Sequence, residues 1–492
     1  MSALFAAAVC ANAEEAKPKK VSFYSDIRPI FQGNCHGCHQ PAKARGEYVM
    51  TTFAQLLAGG ESEDKAIVPG KPDESQLITL ITTIDGEAEM PRKGDPLHAE
   101  EIALITRWVA EGAVDDTPPS ARQRYDVDHP PVYSLPPVIS SIDYSPDGTL
   151  IAVSGYHEVL LHHADGSGLA ARLIGLSERV QKVKFSPDGK KLAVAGGLPA
   201  RSGEIQIWTV GSRKLSMSIP VGFDTLYGIS WSPDGTRVAV GLPDSTVRAF
   251  DVKSGEQVLF KDTHDDWVLD TVWNNKGDLL VSVGRDMAVK LTEVATQRFV
   301  DNITSITPGA LKGGIHAITV HPAKEEVLVG GSDGVPQIFR LTRVAKRVIG
   351  DNSNLVRKFP AMPGRIFGID FTSDGKKLAA CSSYNGQGAL HLYSSDYDST
   401  VSDELKKAFE KPLDGKSKKL SAEYQAEGIK RLAKVSLNTA LYATAFSPDG
   451  ETVAAAGADG VIRLYDSQAL GLKRAFLSVP LPEGKVPGVI AL

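Results

Sequence analysis

The sequence predicts a multi-domain chain: a small all-α domain followed by a much larger all-β region of seven repeats. Three observations predict it. A length of 492 residues exceeds the usual size of one domain. Helix caps with one-face apolar spacing occur before residue 115, whereas period-two apolar patterns fill the remainder. The tetrapeptide Ser-Pro-Asp-Gly recurs at 145–148, 186–189, 232–235 and 447–450, as in repeat architectures. Composition is that of a globular protein, 42% hydrophobic and 23% charged. The net charge of −5 gives the whole chain no nucleic-acid signature. No apolar run reaches the roughly 18 residues that span a bilayer.

Residues 1–13 read as the end of a secretory signal peptide. The run from Met1 to Val9 is apolar and rich in small residues, and Ala11-Asn12-Ala13 fits an A-x-A cleavage pattern. The run is short and no basic residue precedes it; a start codon placed downstream of the true one explains both. Cys10 raises a lipid anchor as an alternative, which Ala7-Ala8-Val9 fits poorly. Residues 14–20, charged and containing Pro18, form a tether.

Residues 21–115 form the helical domain. A helix is expected from Ser25-Asp26, with Ser25 as cap, Pro29 in its first turn, and Ile27, Ile30 and Phe31 on one face. Cys35-His36-Gly37-Cys38-His39 follows. This Cys-x-x-Cys-His pattern attaches c-type haem. Cys35 and Cys38 are expected to form thioethers with the vinyl groups, and His39 to supply the proximal imidazole. A redox dithiol requires a strand–helix context that is missing here. A zinc site requires a second ligand pair, and Cys10 and Cys381 are isolated. Thr51-Thr52 precede a helix containing Phe53, Leu56 and Leu57. Another begins near Glu100-Glu101, carries Ile102, Ile105, Trp108 and Val109 on one face, and stops at Gly112.

Met90-Pro91-Arg92-Lys93-Gly94 lies between these helices. A thioether suits haem iron. Met90 lies 51 positions after His39 in a loop of turn-forming residues, and is expected to be the second axial ligand. Met50 is its main rival, with His98 and His36 behind; Met50 reads as core. The segment 21–115 resembles the cytochrome c domain of multi-domain planctomycete proteins. The resemblance rests on Ile27-Arg28-Pro29-Ile30-Phe31, the haem motif, Val68-Pro69-Gly70-Lys71-Pro72 with Ser75, Met90-Pro91, and Trp108 with Gly112-Ala113. It implies an all-α, class I-like fold with His/Met ligation, carried here by Cys35, Cys38, His39 and Met90. The segment holds 15 Asp+Glu against 8 Lys+Arg. Arg92 and Lys93 make the surroundings of Met90 locally basic, which bears on the redox partner.

Residues 116–137 form a Pro-rich, semi-rigid linker. Within it, Val132-Tyr133-Ser134-Leu135 is a candidate edge strand.

Residues 138–480 carry the repeats. The four Ser-Pro-Asp-Gly turns have weaker counterparts at 274–277, 321–324 and 372–375. Proline presets φ and glycine accepts positive φ, so these are hairpin turns. Apolar pairs such as Ile142/Tyr144, Val183/Phe185 and Ile369/Phe371 precede each turn with strand periodicity. A small-residue strand and a third strand follow, as in Leu192–Ala195 and Ile205–Trp208. Seven copies resemble a seven-bladed β-propeller of the WD-repeat type. Its Trp-Asp pair is degenerate here, Phe250-Asp251 and Tyr465-Asp466 coming closest. Asp244, Asp286, Asp333 and Asp459 are expected to cap turns. An insertion at about 396–436 is expected to form one or two surface helices, and 481–492 a C-terminal tail.

No nucleophile elbow, P-loop or HExxH is present. Histidines 157, 162, 163, 264, 316, 321 and 391 are scattered over different repeats. The expected protein is an exported, periplasmic c-type cytochrome, more an electron carrier than an enzyme. It is expected to hold one covalent haem c, to meet an unknown redox partner, and to use its propeller for protein docking without a second redox cofactor. The rival readings are an enzyme with a second active site in the propeller, as in nitrite reductases carrying haem c and haem d, and a haem-containing scaffold or sensor.

Overall fold

The computed structural model describes residues 20–36, 38–40, 43–62, 64–92, 95–117, 125–304, 313–348 and 351–481. The expected signal peptide, most of the tether, Gly37, Lys93, Gly94 and the tail beyond 481 lie outside the described residues. The chain forms two units, Met1–Arg122 and Gln123–Leu492.

The first unit is helical. A π-helical turn, Phe23–Ile27, runs into α1, Arg28–Asn34. The cap is Ser22 rather than Ser25: the Ser22 hydroxyl accepts the Ser25 N–H at 3.0 Å. The wider first turn starts the helix three residues early, so the capping oxygen comes from Ser22. Helix α2, Phe53–Ala58, is capped by Thr52; α3 is Gln76–Ile81 and α4 is Ala99–Ala110. Their apolar faces meet around Trp108, which is 1% exposed. Phe23 stacks on its ring at 5.3 Å, and its Nε1 donates to the Val114 carbonyl at 3.1 Å. The Val68–Pro72 turn is held by buried Ser75, whose Oγ accepts Val68 N–H at 2.8 Å and donates to Lys71 O at 2.9 Å. Gly70 N–H then bonds Val109 O at 2.8 Å, tying this turn to α4.

The second unit is a large all-β region of WD-type blades. Five sheets have four antiparallel strands in chain order, and one has seven. The seven-stranded sheet is two such sets sharing one long strand, Leu169–Phe185. Its first half pairs with Tyr156–His163 and its second half with Lys191–Leu198. The first strand of each set neighbours the first strands of the sets before and after it, and Leu441–Phe446 neighbours Ile142–Tyr144. Bonds join the last set to the first, among them Ile139 N–H to Gly457 O at 2.9 Å, His162 Nε2 to Ser478 O at 2.9 Å, and Arg474 to Asp165 O at 3.3 Å.

The Ser-Pro-Asp-Gly turns share one bonding scheme. Each serine hydroxyl donates to the aspartate two residues on, at 2.5–2.7 Å, and accepts the backbone N–H five residues on, at 2.9–3.0 Å. Gly148, at φ 71°, takes the positive-φ position. Asp244, Asp286, Asp333 and Asp459 each accept the N–H two residues on, capping turns before third strands.

Two local expectations differ. Val132–Leu135 is not a strand: it bends at Ser134-Leu135, and it is tied to the first set by side chains, the Tyr133 hydroxyl donating to Glu158 at 2.7 Å beside the 2.7 Å bond from Arg172 to Pro131 O. The helical part of the insertion comprises α5, Asp403–Phe409, and α6, Gly415–Ala426. Lys430–Leu437 is instead the fourth strand of its sheet, pairing with Gln387–Ser394. Leu405, Phe409 and Tyr424 enter a core shared with Ile338 and Val356. Arg357, 1% exposed, lies between the rings of Tyr397 and Tyr424, 4.8 Å from each.

Candidate functional site

The haem motif begins where α1 ends. Cys35 N–H bonds Phe31 O at 2.9 Å as the helix closes. His39 N–H reaches back to Cys35 O at 3.0 Å, and Cys38 N–H to the same oxygen at 3.1 Å. This extra turn brings residues 35, 38 and 39 together, anchored by fully buried Phe31. Both thiols are free and half-buried. Burial, with Cys38 and Glu101 adding to it, pushes the Cys35 thiol up to about 12. A nucleophilic dithiol requires the opposite shift.

His39 Nδ1 lies 3.2 Å from the Tyr48 carbonyl. In the tautomer that protonates Nδ1, this bond fixes the ring and leaves Nε2 with a free lone pair. Burial lowers the His39 pKa, outweighing the Tyr48 and Arg45 carbonyls, and keeps the imidazole neutral as a ligand must be. Tyr48 is itself positioned by its hydroxyl, which donates to Leu56 O at 2.8 Å. Two half-buried thiols and an oriented neutral imidazole fit haem c.

Met90 follows α3, its N–H bonded to Leu80 O at 2.9 Å, and packs half-buried on the same apolar cluster as Cys35. Met50 is 3% exposed within that core, its N–H on His39 O at 2.9 Å. His98 caps α4, in a box with Glu101. His36 is buried and pushed down to about 4 by burial and by Arg28.

The second unit contains a central cavity of about 930 Å³ lined by the first strands. Of the scattered histidines, His316 lines it. His264 instead bonds Asp286 at 3.0 Å and Ser282 at 2.8 Å, and His391 bonds Tyr393 at 3.0 Å. Charged residues missed in the sequence lie inside. Lys184 pairs with Asp143 at 2.6 Å, and Lys182 with Asp270. Each aspartate also accepts a backbone N–H from the next set: Phe185 to Asp143 at 2.8 Å, Ile318 to Asp270 at 3.2 Å, and Phe446 to Asp370 at 2.8 Å. The signal was available, since a charge sits between the two apolar residues of a first strand in Ile142-Asp143-Tyr144, Val183-Lys184-Phe185 and Ile369-Asp370-Phe371. Such a residue looks like an ordinary solvent face, but Lys184 and Asp370 line the cavity and Asp143 pairs with Lys184.

Comparison with known proteins agrees with this division. Residues 35–94 match the family model described as planctomycete cytochrome C. Residues 218–251 and 434–466 match the WD domain, G-beta repeat. The chain is 24% identical over 212 residues to the WD repeat-containing protein 26 homolog of Arabidopsis thaliana, covering 42% of this chain and 35% of that protein. It is 23% identical over 278 residues to apoptotic protease-activating factor 1 of Mus musculus, covering 54% and 20% respectively. It is 22% identical over 185 residues to eukaryotic translation initiation factor 3 subunit I of Kluyveromyces lactis, covering 35% and 52%. The chain thus spans between 20% and 52% of these relatives. A chain from the crystal structure of a mitotic checkpoint complex superimposes with a TM-score of 0.52 at 17% identity, over 70% of this chain and 99% of that one. At that identity the likeness concerns the fold.

Proposed function

With a cytochrome c-type segment joined to WD repeats as the premise, we propose that this protein is an exported electron carrier with one covalent haem c. Cys35 and Cys38 would hold the haem by thioethers, and His39 Nε2 and the Met90 sulfur would ligate its iron. The bound haem supplies a reversible one-electron iron couple. The chain's own residues set its surroundings: Tyr48 O orients His39, and the core around Trp108 excludes water from the helix ends. The first unit is a class I-like cytochrome domain at 21–115. The β region is a seven-bladed propeller, supported by the cyclic order of its first strands and the bonds from its last set to its first. WD repeats are protein-interaction modules, which supports a docking role for the propeller.

The observation that carries the haem assignment is the 3.2 Å contact of His39 Nδ1 with Tyr48 O, at the residue directly after two half-buried thiols. The test is expression in a host with haem c maturation, followed by mass analysis of the denatured protein. The peptide containing Cys35 and Cys38 should carry one haem; its absence from that peptide overturns the reading. Export is tested in the native host, where a periplasmic location is expected.

A further inference from the structure

The cavity of the second unit has an aromatic, cationic end where the first strands begin. Trp267 precedes Val268–Trp273, Phe367 lies early in Arg365–Phe371, and Tyr442 early in Leu441–Phe446. These starts converge: Phe367 meets Tyr442 edge-on at 5.2 Å and His316 at 5.4 Å. Arg285 belongs to the same end, since it follows Gly284, which pairs with Val268, and its guanidinium lies 4.8 Å from the Trp267 ring centre. Gly314 joins the two groups; a Cβ placed there would lie 2.9 Å from Arg285 Cα.

The charges at this end do not balance. Arg285 has one carboxylate, Asp266, at 3.5 Å, and both side chains are partly in water. Arg365 is exposed and, among the described residues, has no carboxylate within ion-pair distance. His316 stands within the field of both arginines; burial first, then Arg365 and Arg285, push it down to about 4, so it is neutral. Its Nε2 is 3.0 Å from the Ser332 hydroxyl. An aromatic enclosure without cations would attract an ammonium group. Here a cationic ligand would meet two guanidiniums and one carboxylate that is already shared. An anion gains charge-assisted hydrogen bonds from arginine forks that match a carboxylate.

We propose that this end of the cavity binds a carboxylate carried next to an aromatic ring, with Arg285 and Arg365 holding the carboxylate and Phe367 and Tyr442 packing the ring. The volume of about 930 Å³ is within the range of organic-ligand sites. The ligand is either a free aromatic acid or the C-terminal residue of a protein segment, which present the same chemistry.

The test is titration calorimetry on the full-length protein with three probes: phenylacetate, an N-acetylated tripeptide ending in phenylalanine, and phenethylamine. At least one acid should bind and the amine should not. Arg365→Gln and Arg285→Gln should each weaken acid binding about tenfold, and the double variant should abolish it, with melting curves like that of the unaltered protein. Tighter binding of the peptide assigns the source to a protein segment; binding of phenylacetate alone assigns a small molecule. Failure of both acids, equal binding of the amine, or a double variant that binds as before overturns the proposal. The docking role of the propeller concerns its whole surface and is tested by partner capture, so failure of all three probes leaves that reading intact.

Discussion

Asp143 and Lys184 occupy the same position in the first strands of successive sets, and their side chains form a 2.6 Å ion pair from one set to the next. The other Asp143 oxygen takes the Phe185 N–H at 2.8 Å, so one carboxylate bonds both the side chain and the backbone of the next set. Burial alone would lower the Lys184 pKa; Asp143, Asp370 and Asp270 reverse this and raise it. With its side chain 37% exposed, water in the cavity still reaches the ammonium.

Asp143→Ala should therefore cost about 2 kcal/mol, less than the loss of a fully buried pair because the cavity is wet. Asp143→Asn, which keeps an acceptor for Phe185 N–H, should cost less. Urea midpoints of the two variants check the order; equal values would show that the backbone bond contributes nothing.

Asp370 gives a pH dependence of defined sign. Burial raises its carboxyl to about 6, against the opposing effects of Lys184 and the Phe446 N–H and with Asp143 adding to the rise. An unfolded aspartate titrates near about 3.9. Between those values the folded chain holds the extra proton, so this group's contribution falls as pH rises from about 4 to about 6 and is constant above. In Asp370→Asn that slope should disappear, a difference of about 1–2 kcal/mol across the window after allowance for water in the cavity. Urea unfolding at pH 4.5 and 7 measures it.

Met90→Ala should lower the reduction potential of the holoprotein and open the iron to carbon monoxide, because a thioether ligand favours the reduced iron. Met50→Leu should do neither, as Met50 is core. A Met90 variant with unchanged spectrum and potential would remove it from the ligand set.

Trp108→Ala should destabilise the first unit by about 3–5 kcal/mol, since the indole is 1% exposed and central to an aromatic cluster. Denaturant unfolding followed by far-ultraviolet dichroism of the helices reads the loss.

Tyr424→Ala should release the insertion. Tyr424 donates to Ser399 O at 3.0 Å, accepts from Arg340, and covers one face of Arg357. Cleavage by trypsin between 396 and 430 should accelerate, at a cost of about 3 kcal/mol, while the remaining sheets stay protected.

Much of this was legible because it is local. The Ser-Pro-Asp-Gly turns could be read from the sequence because serine, aspartate and the N–H five residues on close one ring of bonds within a short stretch. The α4 face was legible from Ile105, Trp108 and Val109, and the core role of Met50 from the helix that follows it. What was not legible depends on distant chain. Ser22 rather than Ser25 caps the first turn because that turn is wide. Val132–Leu135 alternates in sequence, yet it bends at Ser134-Leu135 and is held through the Tyr133 side chain on Glu158. Lys430–Leu437 reads as part of a charged helical run because its partner strand, Gln387–Ser394, lies beyond two helices. Asp143, Lys184 and Asp370 look like solvent-facing residues until the first strands are set side by side.

The bonds from Ile139 to Gly457 and from His162 to Ser478, the latter 316 residues apart, have a consequence for biosynthesis. A ribosome delivers the chain from the N-terminus, so His162 waits more than 300 residues for its acceptor to be made. During that interval the first set has an open flank, with edge groups available to any strand that passes. Long-range pairing of this kind is slow. A nascent chain interrupted before Gly457 would therefore carry nearly every repeat and still lack the contacts that shield the first one. Proteases and chaperones would encounter it as an unfinished product rather than as a smaller version of the same protein.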